Sequence, residues 1–146
     1  MMNLTKYETF WDELTDKAGI KSAFFLTNES DIQPRLSDIS SDEQPFMMVI
    51  IPSAKTSGSS QDDVADTNYG LVYVLSKEDR TATDTFTIQK ELQPVMENVK
   101  KLMIESKEQC GVMRGLDVSS FHTDPESRLF TRATGWSLSF QFETDL

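Results

Sequence analysis

The first eighteen residues repeat apolar and polar positions with the period of an α-helix. The spacing predicts a helix that begins near Thr5, because Thr5 and Glu8 have the spacing of a capping box. It is expected to end at Gly19, a residue type that closes many helices in the left-handed conformation. Its apolar face, which we expect to pack on the core, comprises Leu4, Tyr7, Phe10, Trp11, Leu14 and Ala18.

After Gly19 the chain changes to short β-branched and aromatic runs at residues 22–27, 46–51 and 69–76, which predict three strands. The second run is apolar throughout, as is typical of a central strand covered on both faces by helices or by another subunit. Two polar connections, residues 28–44 and 53–68, exceed about 12 to 15 residues, a length at which loops are usually functional or disordered. We expect both connections to lie on the surface, either as loose loops or as segments that become ordered on contact with a partner.

A second helical pattern carries apolar residues three and four apart and lysines on its other side. Pro94 lies inside the pattern, so the helix either begins near Thr87 and bends at Pro94, which we favour, or begins late with Pro94 in its first turn. The face expected to pack on the sheet comprises Ile88, Leu92, Val95, Met96, Val99, Leu102 and Met103.

The last part of the chain alternates apolar and polar residues with period two, which predicts a strand with one buried face. Residues 119–123 are a weaker strand, and residues 124–134 are expected to connect the two as a hairpin or long turn. In the final strand we expect Trp136, Leu138, Phe140 and Phe142 to face the core, and Ser137, Ser139 and Gln141 to face solvent or a partner.

These elements have the order αβββαββ and predict one α+β domain over residues 1–146. Two helices would cover one face of a mainly antiparallel sheet, giving a two-layer sandwich. The chain of 146 residues is 38% hydrophobic and 26% charged, which are ordinary values for a globular domain. Neither a membrane span nor a signal peptide is predicted.

The charge balance argues against a nucleic-acid-binding function. The chain has 14 basic and 24 acidic residues, a formal net charge of −10, which repels a phosphate backbone on average. The single cysteine, Cys110, excludes an internal disulfide and any site built from several thiolates.

Sequence motifs for catalysis are absent, including glycine-rich phosphate loops and a serine nucleophile elbow. Cys110 with His122 is the only nucleophile-and-base pair, and it would need hydrogen-bond contact and an orienting third group. Asp62, Asp63 and Asp66 could supply oxygen ligands to a hard cation but lack the EF-hand spacing, so a solvated acidic loop is the favoured interpretation. We therefore assign no catalytic, cofactor-binding or metal-binding residue and expect no cofactor. Carboxylate pairs also occur in polar stretches, at Asp42 with Glu43 and at Asp124 with Glu126.

The order of elements, the strand YGLVYVLS followed by the helix QPVMENVKKLMI, and the closing strand GWSLSFQFE together resemble tail terminator and tail-completion (neck) proteins of tailed bacteriophages. The resemblance covers most of the chain in element order but transfers no single residue. It implies a structural, non-enzymatic virion protein, made in the host cytoplasm, whose copies form a hexameric ring. The ring would cap the tail tube, contact the tube protein and the neck or connector proteins, and pass DNA as cargo without binding it specifically.

Two other functions remain open at this point. One is a cytosolic α+β module that binds a small molecule or a protein without catalysis. The other, more remote, is a hydrolase built on Cys110 and His122.

Overall fold

The computed structural model of the protein describes residues 1–77, 85–129 and 133–145. Eight main elements follow one another, with short 3-10 turns at Glu29–Asp31 and Ser41–Glu43. They are α1 (Leu4–Ala18), β1 (Ser22–Leu26), α2 (Ile32–Leu36), β2 (Phe46–Ser57), β3 (Ala65–Lys77), α3 (Thr85–Lys107), β4 (Gly115–Leu129) and β5 (Ala133–Asp145).

The five strands form one sheet in the order β1-β2-β3-β5-β4. Only β1 and β2 are parallel, and the other three neighbouring pairs are antiparallel. The predicted α+β class with a mainly antiparallel sheet is therefore confirmed.

Helix α1 follows the predicted pattern except at its start, where Leu4, expected to pack on the core, is 49% exposed. Its N-cap is Asn3, not Thr5, because the Asn3 side-chain oxygen accepts a hydrogen bond from the Lys6 backbone N–H at 3.0 Å. Gly19 ends the helix with φ of 74°, a left-handed conformation, as predicted.

The helix-side core lies between the sheet and the two long helices. Tyr7 and Trp11 of α1 are fully buried against Phe140 and Phe142 of β5, where the rings of Tyr7 and Phe142 stack nearly parallel. Helix α3 is fixed to β5 by Trp136, whose Nε1 donates to the backbone carbonyl of Gln89 at 2.9 Å. This core also contains Met47, Val49, Val72, Val74, Ile88, Leu92, Met96, Val99, Met103 and Leu138.

The opposite face of the sheet carries a smaller core, called here the α2-side core. Residues 28–44, expected to be a loose polar connection, fold over this face and place Ile32, Leu36 and Ile39 on Phe46 and Met48. The predicted order αβββαββ with two helices on one face is thus wrong. A third helix, α2, lies between β1 and β2 in the chain and partly covers the opposite face of the sheet. From Phe46 to Ile50 both faces of β2 are covered by this chain itself, so the cover expected for its continuous apolar run is found without a second subunit.

Four strands are longer than predicted, at the expense of the expected loops. Residues 53–57 and 65–68 belong to β2 and β3, so the connection 53–68 is mainly a hairpin and not a loop. Residues 124–129 extend β4, which begins at Gly115, while Ala133 and Thr134 begin β5. The hairpin expected at 124–134 is therefore confirmed in the part of the chain that the structure describes, but its residues are paired strand and not a separate connection. Backbone pairing overrides the polar composition that suggested loops.

Helix α3 begins at Thr85, with Pro94 inside it, so a late start at Pro94 is wrong. No helix in the described ranges is long and apolar enough to cross a membrane.

Candidate functional site

The predicted nucleophile and base lie on different elements. Cys110 is exposed in the turn that follows α3, and His122 is on β4. The Nε2 atom of His122 lies 3.0 Å from the carboxylate of Asp124, and both side chains are more than half exposed. No hydrogen bond joins Cys110 to His122 in the described structure, so the contact that a hydrolase would require is missing.

The three candidate cation ligands are likewise separated. Asp62 and Asp63 lie in the exposed turn between β2 and β3, whereas Asp66 is buried on β3. Within the described ranges no group of three or more potential ligands is arranged to hold a metal ion.

Asp66 is instead the centre of a buried polar contact. Its carboxylate accepts a hydrogen bond from Thr56 Oγ1 at 2.5 Å and pairs with the N-terminal ammonium of Met1 at 2.7 Å. The hydrogen bond from that ammonium, followed by the one from Thr56, lowers the pKa of Asp66, although burial acts in the opposite direction. The contact joins the first residue of the chain to the β2–β3 hairpin.

The carboxylate pairs also have structural partners. The Glu43 carboxylate accepts a hydrogen bond from the Ser40 backbone N–H at 3.2 Å in the turn before β2. Glu126 accepts one from Ser137 Oγ at 2.9 Å. Ser137 is buried on the face opposite to its apolar neighbours, so the expectation that it faces solvent or a partner is wrong.

A polar group on the α2 side surrounds the buried Tyr73. Burial raises the pKa of Tyr73, and its interaction with Glu29 and the negative charge of Glu126 raise it further. The segment after β1 and strand β4 thus each bring an acidic residue to act on Tyr73.

A cleft of about 1020 Å³ opens between the first half of α1, the turn after α3 and the ends of β3 and β5. Met2, Phe10 and Val112 contribute apolar surface, and Lys6 and Glu13 contribute charge of both signs. Cys110 is also on its wall. A cleft of this size and mixed character can take a small ligand or a short peptide.

The β2–β3 hairpin continues beyond the apolar run of β2, and we call residues 51–70 the ribbon. Its β3 side is also paired with β5, so the β2 side and the turn are its exposed part. Ser53–Ser57 pairs with Ala65–Tyr69 after a register shift near Pro52. No residue of the ribbon belongs to either hydrophobic core. Asn68 anchors its base, since its buried Nδ2 donates to the Phe142 carbonyl at 3.1 Å and to Thr144 Oγ1 at 3.0 Å. Sequence reasoning missed this element because its polar composition hid the alternation of a strand.

Gly135 and Trp136, the first two residues of the closing strand GWSLSFQFE, have a clear structural role. A Cβ at Gly135 would overlap the backbone carbonyl of Val74 on the neighbouring strand, so only glycine fits. Trp136 then makes the hydrogen bond to α3 described above. Both residues are explained by packing and define no binding site.

The fold and these contacts define a mainly antiparallel α+β domain with a projecting hairpin. No protein-family model matches this chain, and no curated protein is similar enough to count as a relative. The resemblance to tail terminator proteins therefore remains a prediction.

Proposed function

We propose that this protein is a structural virion component, a tail terminator or neck protein whose copies form a ring on the tail tube. The ring, hexameric in the family it resembles, would join the tube to the head. The proposal assigns the protein contacts with itself, with the tube protein and with neck proteins, and assigns it no reaction.

The observation that carries the proposal is the ribbon. A domain gains stability from apolar burial, yet the ribbon keeps an ordered strand and turn in which all side chains from Ser53 to Asp63 are exposed. An ordered projection of this kind offers backbone and polar groups to a neighbouring subunit. Closed rings use such heterologous contacts, in which one patch meets a different patch on the next copy.

The charge supports the same function. A net charge of −10 repels phosphate, which suits a ring through which DNA has to slide without being held. The segment over the α2-side core adds to it, with five acidic residues against Arg35 between positions 29 and 43.

The test is electron microscopy of tail tubes mixed with the purified chain, using the tube protein encoded beside its gene. We expect a ring at the tube end. A variant in which Asn-Gly replaces residues 58–64 keeps the pair Ser57 and Ala65 in register but removes the ribbon tip, and it should fail to cap tubes. Lys101→Glu on the exposed side of α3 is the control and should cap normally.

Tubes that stay uncapped with the unaltered chain would contradict the proposal. So would assembled particles that hold this chain in one copy away from the tube end. Genes for a portal, a major tail protein and a tape measure beside its gene would support the proposal.

The cleft favours a second candidate, a module that binds a small molecule or peptide without catalysis. A thermal-shift screen with small-molecule and peptide libraries tests this function. The cleft-lining substitution Phe10→Ala should abolish a genuine hit, whereas Ser127→Ala on β4 should leave it unchanged.

A further inference from the structure

The sheet has an unusual edge on the β1 side. β1 covers β2 only from Phe46 to Ile50, so the remainder of β2 continues for seven residues without a neighbour on that side in the described structure. The edge is therefore a step, with five residues of β1 protruding beside an open length of β2. Between Ala23 and Leu26 no backbone hydrogen bond reaches any described segment other than β2.

From this step we infer that two copies of the chain pair across a two-fold axis perpendicular to the sheet. The rotation brings the protruding β1 of each copy into the open length of the other. β1 runs parallel to β2 of its own copy, so after the rotation it runs antiparallel to β2 of the second copy. One continuous sheet then crosses the interface.

The lengths agree. The five residues of β1, Ser22–Leu26, match the five residues of the ribbon edge, positions 53–57. In the antiparallel register Leu26 of the second copy lies opposite Ser53, and Ser22 of the second copy lies opposite Ser57. The two β1 strands then end opposite Ile50 and Ser53, about 7 Å apart because of the bulge between these residues, and both chains turn out of the sheet at that gap.

Pro52 lies in that gap. Proline has no N–H to give to a ladder and is found at edges and bulges of sheets. Pro52 is the ribbon-edge residue that cannot donate a backbone hydrogen bond. It thus lies where no strand of the second copy would pair with it.

The side-chain faces agree as well, because residues directly opposite one another in a sheet must point to the same face. Phe24 and Leu26 point to the α2 side, as do Lys55 and Ser53, which they would oppose. Ala23 and Phe25 point to the helix side, as do Thr56 and Ala54, which they would oppose. Had the opposed residues pointed to different faces of the sheet, this register would have been excluded.

Few charges lie along the paired edges, and the one like-charge approach in the described structure is that of Lys55 to Arg35, which lies over the ring of Phe24. β1 has no charged residue, and Lys55 is the only one at positions 53–57. In contrast, the outer edge strand β4 carries Pro125 with Asp124 and Glu126 beside it, features that protect an edge from strand addition. This contact uses the ribbon edge, not its tip, and does not depend on the proposed ring.

Disulfide cross-linking tests the register. In a Cys110→Ser background, the double variant Ser22→Cys with Ser57→Cys would place the two cysteines opposite each other across the interface, within disulfide range. Within one chain they cannot meet, since Ser22 pairs with Phe46 and Ser57 lies about 36 Å further along β2. We expect most of the chain to become a covalent dimer on mild oxidation.

The matched control is Ser22→Cys with Ser53→Cys, which in this register lie about 13 Å apart between copies and should remain uncross-linked. Equal cross-linking of both pairs would overturn the proposal, as would no cross-linking of either.

Light scattering gives an independent measurement on the unaltered chain at micromolar concentration. We expect twice the mass of one chain. Ala54→Asp puts a charge opposite Phe25 of the second copy and should give a folded monomer, while Ser127→Asp on β4 makes the same charge change and should stay dimeric. A monomeric unaltered chain, or a dimer indifferent to Ala54→Asp, would refute the pairing.

Discussion

The ring of Phe140 lies directly over the backbone of Gly70, its partner across the antiparallel β3–β5 pair. A Cβ added at Gly70 would overlap three carbon atoms of that ring. Gly70 therefore leaves the space that a large aromatic residue fills in the middle of the helix-side core.

We expect Gly70→Ala to lower the free energy of unfolding by about 1 to 3 kcal/mol, the usual cost of overpacking. Phe140→Ala should cost about 3 to 5 kcal/mol, since it leaves a cavity between Trp11 and Phe142. In the double variant the new methyl group enters the vacated space, so its loss should be smaller than the sum. Urea unfolding of all four proteins gives the coupling energy.

Gly111→Ala is the control for that cycle, because a Cβ there meets no atom within 4 Å. Its stability should change by less than about 0.5 kcal/mol. Strict additivity of Gly70→Ala and Phe140→Ala would show that the two residues are not in contact.

The hydroxyl of Tyr7 and the indole N–H of Trp11 are buried and have no hydrogen-bond partner in the described structure. An unsatisfied buried polar group costs about 1 to 3 kcal/mol. We expect Tyr7→Phe to raise the free energy of unfolding by about 1 kcal/mol in urea titrations at neutral pH. Tyr73→Phe, which removes a hydroxyl that interacts with Glu29, should lower the free energy of unfolding. A loss of stability in Tyr7→Phe as large as that in Tyr73→Phe would mean that Tyr7 has a partner.

Tyr7 also determines how stability responds to alkali. Burial raises the pKa of its hydroxyl above the usual value of 10.0, and the Trp11 indole opposes this shift, although its geometry falls short of a hydrogen bond. The unfolded chain therefore ionises first, so stability is complete below pH 10 and falls above it, by at most about 1.4 kcal/mol per pH unit for each such tyrosine. Tyr7→Phe should reduce this slope between pH 10 and 11, where unfolding is followed by fluorescence. An unchanged slope would place the Tyr7 hydroxyl in water.

The sequence predicted those parts of the fold in which a periodic pattern coincides with burial. Helix α1 and strand β5 have long alternations, and both were located to within a few residues. Helix α2 was missed because only Ile32 and Leu36 anchor its five residues, too short a pattern to recognise within a polar segment. The ribbon was missed for the opposite reason, since its pairing is specified by backbone hydrogen bonds and by Asn68, not by apolar side chains. The cleft and the stepped edge depend on which strands become neighbours, and no local pattern encodes that.

The ion pair of Asp66 with the N-terminal ammonium predicts how the ribbon base responds to acid. Asp66→Asn removes the charge that both the ammonium and Thr56 contact, so we expect a lower melting temperature at neutral pH. These contacts lower the pKa of Asp66 in the folded state. Their contribution to stability is therefore complete above the unfolded pKa of about 3.9 and is lost as the pH falls through the folded pKa. The difference in melting temperature between the unaltered chain and Asp66→Asn should therefore shrink below pH 4.

Asp63→Asn, in the exposed turn, is the matched control and should melt like the unaltered chain from pH 7 to pH 4. If Asp66→Asn melts like the unaltered chain at pH 7, the contacts of the buried carboxylate with Thr56 and the Met1 ammonium contribute nothing to stability.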